Sequence, residues 1–423
     1  MHHQRDYLLQ FITTNHKIIR DWITDNIGQE NIPIYSSVDI RDAGFKSAVV
    51  DTNFFPSGFN NLCSKALLKA APLLSTALKT RYPNVSKVGL IIEPHTRNSF
   101  YLDHVWQLLS LFKSAGLDIQ VATFMENLPG EGLEIGLSDN RHFRVIPFRH
   151  LLSTFSPDLL FLNHDLSQGI PTELRSCHLP IIPSLNSGWH QRLKSKHFFY
   201  LNRVIDIFSK HVGIDPWLLQ CCFKKFDAIS IQNPEDCSLL ADAASDLFKQ
   251  INSHYQRYKI DQKPFLFLKA DSGTYGMGVY PIESPDELCQ LNRKARNKLS
   301  MGKYRVPITR YILQEGVPSI TNVGHSVGEA CLYHIESECI GAFYRLNQRK
   351  NNRQNLNATG MSFRKICADL QTPCTLNTGI DTCGESPHTH LSFYQLLGQL
   401  AVIAAKDELI DLEIQATSRQ VRV

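Results

Sequence analysis

From residue 86 onward the apolar residues change period, and this switch limits the fold more than any other feature of the 423-residue chain. "SKVGLIIEP" is an apolar run of strand length, "YLDHVWQLLSLFKSAG" repeats every three to four residues and ends on a glycine, and "LDIQVATF" and "PDLLFLNHDL" are further strand-length runs. Strands apolar on both faces, separated by an amphipathic helix, predict a parallel sheet flanked by helices. Residues 1 to about 80 show helical spacing instead, as in "YLLQFITTNHKIIRDWI", with "NIPIYSSVDIRDAG" as a loop or strand break between helices. After "LPIIPSLNSGWHQRLKSKHFFYLNRV" a polar, basic connection enters a helical stretch to about residue 260, and strand signals return to about residue 346.

Composition excludes several classes of function. A length beyond the usual single-core size allows two or three subdomains. A net charge of +4 is no nucleic-acid footprint, and the absence of any run of 18 apolar residues removes a membrane span and a signal peptide, which predicts a cytoplasmic protein. Eleven cysteines, an odd number without a C-x-x-C pair, read as reduced, buried thiols.

The chemistry-bearing feature is "LKADSGTYGMGVY", residues 268–280. Gly273, Gly276 and Gly278 match neither the P-loop nor the dinucleotide fingerprint. Strand-like flanks make the segment a flap, in which Ser272, Gly273, Thr274, Tyr275, Gly276 and Gly278 bring backbone N–H groups to phosphate oxygens and Lys269 supplies a point charge. A glycine-rich turn holding nothing is the competing reading. About forty residues on, "YRVPITRYILQEGVP" ends a strand at Gln314, Glu315, Gly316 and Val317, an exposed hinge suited to an adenine edge. Alternation then puts Glu329, Cys331 and Tyr333 on one strand face. Asn355 and Asn357 follow, and their side-chain oxygens beside the Glu329 carboxylate are hard ligands suited to Mg²⁺, although a lone strand glutamate is more often salt-bridged.

In this order the motifs resemble ATP-grasp enzymes. More narrowly, "KADSGTYGMGV", "NRKARNKLS", "LQEGVP", "GAFYRLN" and "NLNATGM", with "EPHTRN", "LNHDLSQGIP" and "SGWHQRLKSKHF" upstream, are similar to the proteobacterial glutamate-cysteine ligase family related to glutathione synthetase, over about residues 90 to 365. Together with the periodicity, which alone gives an N-terminal helical segment (1–85), the resemblance implies a mixed α/β and α+β fold: a Rossmann-like α/β substrate subdomain (86–190), a helical connection (191–260) and an ATP-grasp nucleotide-binding region (261–423). It also implies ATP-dependent joining of the γ-carboxylate of glutamate to cysteine through a γ-glutamyl phosphate, the first step of glutathione biosynthesis, with Mg²⁺ or Mn²⁺. Lys269 and Arg345 would act on the reacting groups, and Arg97, Arg192, Lys194 and Arg345 would bind substrate carboxylates. Gln354 stands where an acid precedes N-L-N in that family. Glutathione synthetase, another ATP-grasp amino-acid ligase and a catalytically silent ATP-binding protein are the alternatives, and oligomeric state is open.

Overall fold

A computed structural model describes residues 2–28, 31–94, 97–125, 127–273, 278–303, 307–366 and 391–420. Two helices, α1 (His2–Thr14) and α2 (His16–Ile27), open the chain, and α2 buries Ile19, Trp22 and Ile23 at helical spacing. The sequence reading as helices then fails. Strands β1 (Tyr35–Asp42) and β2 (Ser47–Asn53) form an antiparallel hairpin before α3 (Ser64–Arg81). In β1 the apolar Val38 and Ile40 alternate with Asp39 and Arg41, so one face meets the core and the other carries charge.

The parallel sheet follows as predicted from the change of period. Along the chain come β3 (Lys87–Ile92), α4 (Ser99–Ser114), β4 (Asp118–Thr123), β5 (Leu133–Gly136), β6 (His142–Pro147), α5 (Phe148–Thr154), β7 (Leu159–Asn163), α6 (Thr172–Arg175) and β8 (Ile181–Ile182). Their order in the sheet is β5-β6-β4-β3-β7-β8, with only β5 antiparallel to its neighbour. Helix α4 starts where the Asn98 side chain accepts from the Tyr101 amide, and it buries Leu102, Val105, Leu108, Leu109 and Phe112. Val88, Leu90 and Ile92 join these residues and the α3 stripe Ala66, Ala70, Leu74 and Leu78 in one core.

Beyond α7 (Lys194–Val212), β9 (Phe223–Phe226) and α8 (Pro234–Arg257), the chain forms β10 (Leu266–Ala270), β11 (Val279–Ile282), α9 (Arg293–Ser300) and β12 (Tyr311–Glu315). These strands make a four-stranded antiparallel sheet, β11-β10-β12-β9. The cationic stretch "NRKARNK" is the exposed face of α9. Strands β13 (Asn322–Val323), β14 (Ser326–Ile335), β15 (Glu338–Asn347) and β16 (Met361–Ile366) complete a central sheet ordered β16-β15-β14-β1-β2, so the amino-terminal hairpin pairs with a strand almost three hundred residues later. Helix α10 (Leu391–Gln420) packs across the back of this sheet. There a Cβ on Gly398 would lie 2.5 Å from the buried His334 ring. Among the described residues no helix is long and apolar enough to cross a membrane.

Candidate active site

One face of the central sheet is the floor of a cleft. Alternation on four strands brings Asp39 and Arg41 (β1), Asp51 (β2), Glu329 (β14) and Arg345 (β15) to the same side, where register sets Asp39 opposite Asp51 and Glu329 opposite Arg345. A β-bulge follows Asp39 and re-aims the strand. The floor is cross-tied. Arg345 Nη1 donates to Asp39 (2.6 Å) and to Glu329 Oε1 (2.7 Å), while Arg41 Nε donates to Glu329 Oε2 (2.8 Å) and Arg41 Nη2 to the Gln354 carbonyl (2.6 Å).

Two chambers open over this floor and share Asp39, Asp51, Arg345 and Asn357 as their partition. The first faces the parallel sheet and is lined by Thr52, Glu93, Tyr101, Asn163, Asp165 and Trp189 as well, so carboxylates dominate it. The second lies under the β10–β12 sheet and collects Arg41, Lys194, Lys269, Gln314, Glu329 and Asn355. Four cations, Arg41, Lys194, Lys269 and Arg345, share it with the carboxylates of Asp39, Asp51, Glu315 and Glu329. Lys269, almost fully buried, donates to Gln314 Oε1 (2.6 Å) and the Val50 carbonyl (3.1 Å); burial lowers its pKa to about 8, with Asp51 opposing and Lys194 reinforcing the shift. Burial raises the Asp39 carboxyl, and Glu329 and Asp51 add to it against Arg345. Burial acts the same way on Glu329, but Arg41 and Arg345 prevail and hold it below the usual carboxylate range.

The structure gathers most of the residues singled out from sequence and gives some a different job. Lys269, Gly273, Glu329, Arg345, Asn355, Asn357 and Lys194 line the second chamber, with Lys194 bound to Asp51 at 2.5 Å. Ser272 and Gly273 border an adjoining pocket with Trp189 and Lys303; Gly273 (φ +102°) and Gly278 (φ +65°) take the left-handed backbone a flap stem needs. Thr274, Tyr275 and Gly276 lie outside the described residues. Asp271 of the same motif accepts from the Ser195 amide (2.7 Å) and hydroxyl (2.6 Å), capping α7 from a distance.

Two expectations need correction. The hinge is not exposed: Gln314, Glu315 and Val317 are buried, the Glu315 amide donates to the Cys222 carbonyl (2.8 Å), and the Gly316 amide donates to the Phe265 carbonyl (2.8 Å). The Glu315 carboxylate accepts from Lys46 (2.9 Å), Trp217 Nε1 (3.2 Å) and the Cys222 amide (3.0 Å), so it ties the β1–β2 hairpin to β12. Arg192 is a structural tie, 1% exposed, with Nε and Nη2 on Glu408 (2.8 and 3.2 Å) and Nη1 on the Thr52 carbonyl (2.8 Å). Arg97 is exposed in the turn after β3 and lines neither chamber.

The oxygens of two of the three residues proposed for a metal, Glu329 and Asn355, are engaged. Both Glu329 oxygens receive guanidinium N–H groups, and Asn355 Oδ1 accepts from the Asn357 amide (3.0 Å). Among the described residues no three His, Cys, Asp or Glu side chains form a metal-binding group. Sequence reasoning missed Asp39, Arg41 and Asp51, although the alternation in "SSVDIRD" was the available signal.

A family model described as Glutamate-cysteine ligase matches residues 10–409. The crystal structure of a protein from Methylobacillus flagellatus KT, provisionally named a gamma-glutamylcysteine synthetase, aligns with a TM-score of 0.85 at 31% identity over 96% of each chain. D-alanyl-alanine synthetase A from Vibrio cholerae O1 biovar eltor str. N16961 aligns at a TM-score of 0.28 and 9% identity, over 62% of this chain and 67% of that one. A glutathione synthetase-like effector (GSS30) from Globodera pallida aligns at 0.31 and 10%, over 85% and 80%. These last two likenesses are too weak to carry an argument. No curated protein matches the sequence.

Proposed function

The chain belongs to the glutamate-cysteine ligase family, and from that premise we propose that its two chambers divide the reaction, the one lined by Lys269, Lys194 and Arg41 holding ATP and the acidic one the amino acids. The enzyme joins glutamate to cysteine and draws on ATP and a divalent metal ion. The observation that carries the division is the shared partition of Asp39, Asp51, Arg345 and Asn357, since phosphate and carboxylate must meet where the nucleotide and amino-acid spaces touch.

Phosphoryl transfer is a matter of positioning and charge stabilisation. Lys269 and Gln314 face the nucleotide chamber, where Gln314 Nε2 and Arg41 Nη1 are buried without a partner among the described residues and stand ready for anionic oxygens. Arg345 reaches both chambers and would hold the γ-carboxylate of glutamate as it takes the phosphoryl group. The antiparallel sheet carrying Lys269 and the glycine flap over a second sheet supports an ATP-grasp reading of the nucleotide region, residues 261–423, beside an amino-acid subdomain at 86–190. The ion is Mg²⁺, replaceable by Mn²⁺, given the hard oxygen donors of the cleft. With Glu329 and Asn355 engaged as described, these side chains do not fit a ready metal site, and no step is routed through them. The free thiols of the described cysteines suit a reducing cytoplasm.

ADP release measured over a matrix of amino-acid pairs tests the reading. Release confined to glutamate with cysteine is expected; release with another pair, or ATP binding with no turnover on any pair, would overturn it.

A further inference from the structure

Two carboxylates directly opposite each other in an antiparallel ladder repel, yet Asp39 and Asp51 occupy such a pair at the partition between the chambers. Asp39 is anchored by Arg345 at 2.6 Å, and Asp51 by Lys194 at 2.5 Å, with Lys269 and Arg192 adding to its positive surroundings. Glu329 on β14 and the thiol of Cys331 also face Asp39. Burial is the main cause of the raised Asp39 carboxyl noted above, and the negative charge of Glu329 and Asp51 beside it adds to the shift.

A second observation points to a ligand. Trp189 Nε1 and Thr52 Oγ1 are buried without a hydrogen-bond partner among the described residues, both residues are 4% exposed, and both line the acidic chamber. A buried donor left unsatisfied is costly, and one beside a cavity marks where a bound molecule brings an acceptor. Trp189 can only donate, so it suits a carboxylate or phosphate oxygen. Adjacent carboxylates and an unpaired indole N–H thus complement a zwitterion, with its ammonium at one and its carboxylate at the other.

Position decides which amino acid this is. The acceptor's amine must reach the acyl carbon at the partition, whereas the ammonium of glutamate lies three carbons away from its reacting γ-carboxyl group. The geometry points to Asp39 and Asp51 as the binding site for the ammonium of the acceptor, cysteine, and this rests on the two-chamber reading above. They hold the amine beside the partition before it is needed and read the acceptor as an α-amino acid.

The test compares two acceptors that differ in charge. Hydroxylamine is uncharged at neutral pH and traps an acyl phosphate as a hydroxamate without any ammonium to be bound, so it reports formation of γ-glutamyl phosphate separately from cysteine binding. In the full chain, Asp39→Asn and Asp51→Asn should each lower kcat/KM for cysteine by about 10- to 100-fold, the loss of a charge-assisted contact. Through a raised KM for cysteine, this loss should exceed that for hydroxylamine by about tenfold, the part common to both amines being what Arg345 and Lys194 lose with their partners. Equal losses with both amines, or no selective loss with cysteine, would overturn the assignment. Should Asp39→Asn fail to fold because Arg345 loses its partner, Asp51→Asn on the neighbouring strand decides by the same comparison. If the unaltered enzyme forms no hydroxamate from glutamate and ATP, the acyl-phosphate reading itself falls, and the ammonium site falls with it.

Discussion

Raising the pH should loosen ATP while the contribution of Lys269 to the fold grows. Lys269 stands in the nucleotide chamber with its pKa lowered to about 8 by burial, while Asp51, Lys194, Cys221 and Arg41 act on it from β2, the start of α7, the loop before β9, and β1. Below pH 8 the ammonium is present to meet a phosphate; above it each further unit removes about nine-tenths of the charged form. If ATP requires that charge, the apparent Kd rises by roughly tenfold between pH 7 and pH 9, about 1.4 kcal/mol. The fold responds with the opposite sign. Between about 8 and the ordinary lysine value the unfolded chain carries a proton that the folded lysine lacks, so this residue's contribution to stability increases with pH across that window. ATP titrations by calorimetry at pH 7, 8 and 9, paired with thermal melts at the same values, separate the two effects. Lys269→Arg, which stays charged throughout, should flatten the pH dependence of Kd. A Kd unchanged from pH 7 to 9 in the unaltered protein, or the same slope in Lys269→Arg, would refute the assignment of Lys269 to the phosphates.

Three more outcomes follow from the geometry. Glu329→Gln should lower kcat steeply and cost about 3–5 kcal/mol in denaturant unfolding, because Arg41 and Arg345 lose the charge that fixes them; extra Mg²⁺ or Mn²⁺ should restore nothing, and a metal-dependent rescue would return Glu329 to the metal. Gly398→Ala should lower Tm and leave kcat and KM unchanged, since its Cβ presses the His334 ring behind the floor at a cost of about 1–3 kcal/mol. Glu408 is held down to about 2: burial opposes ionisation, but Arg192 and His197 prevail, so its stabilisation is complete above the ordinary glutamate value and is lost as pH falls from about 4.5 toward 2. Acid unfolding of Glu408→Gln should lack that component, which is on the order of 3 kcal/mol.

What was legible in the sequence followed from local pattern. The parallel sheet announced itself because β3 and β7 are apolar on both faces and strand-length runs alternate with a helix, and the flap because lysine, aspartate and glycines sit within a dozen residues. The β1–β2 hairpin was missed because its polar face reads as a break between helices, and a strand with a charged face becomes intelligible only when the cleft above it is known. Buried partners could not be read at all. Arg192 looked like a substrate ligand until Glu408, 216 residues away, was found against it, and the hinge looked exposed until Lys46 reached Glu315 from 269 residues upstream. A charge in a sequence states a need for compensation without saying whether a ligand or the chain itself supplies it.

The pairing of β1 with β14 sets an order of events during synthesis. The amino-terminal hairpin leaves the ribosome early, but the strand that covers its open edge, Ser326–Ile335, arrives only after more than three-quarters of the chain has been made. Until then β1 has an exposed edge and the charges of the floor have no sheet to align them, a state open to wrong pairing and to capture by chaperones. Closing so large a loop makes completion of the floor a late and slow event. A nascent chain released before residue 335 can hold a finished parallel sheet and still contain no cleft, so the cell gains no partial activity from an incomplete product.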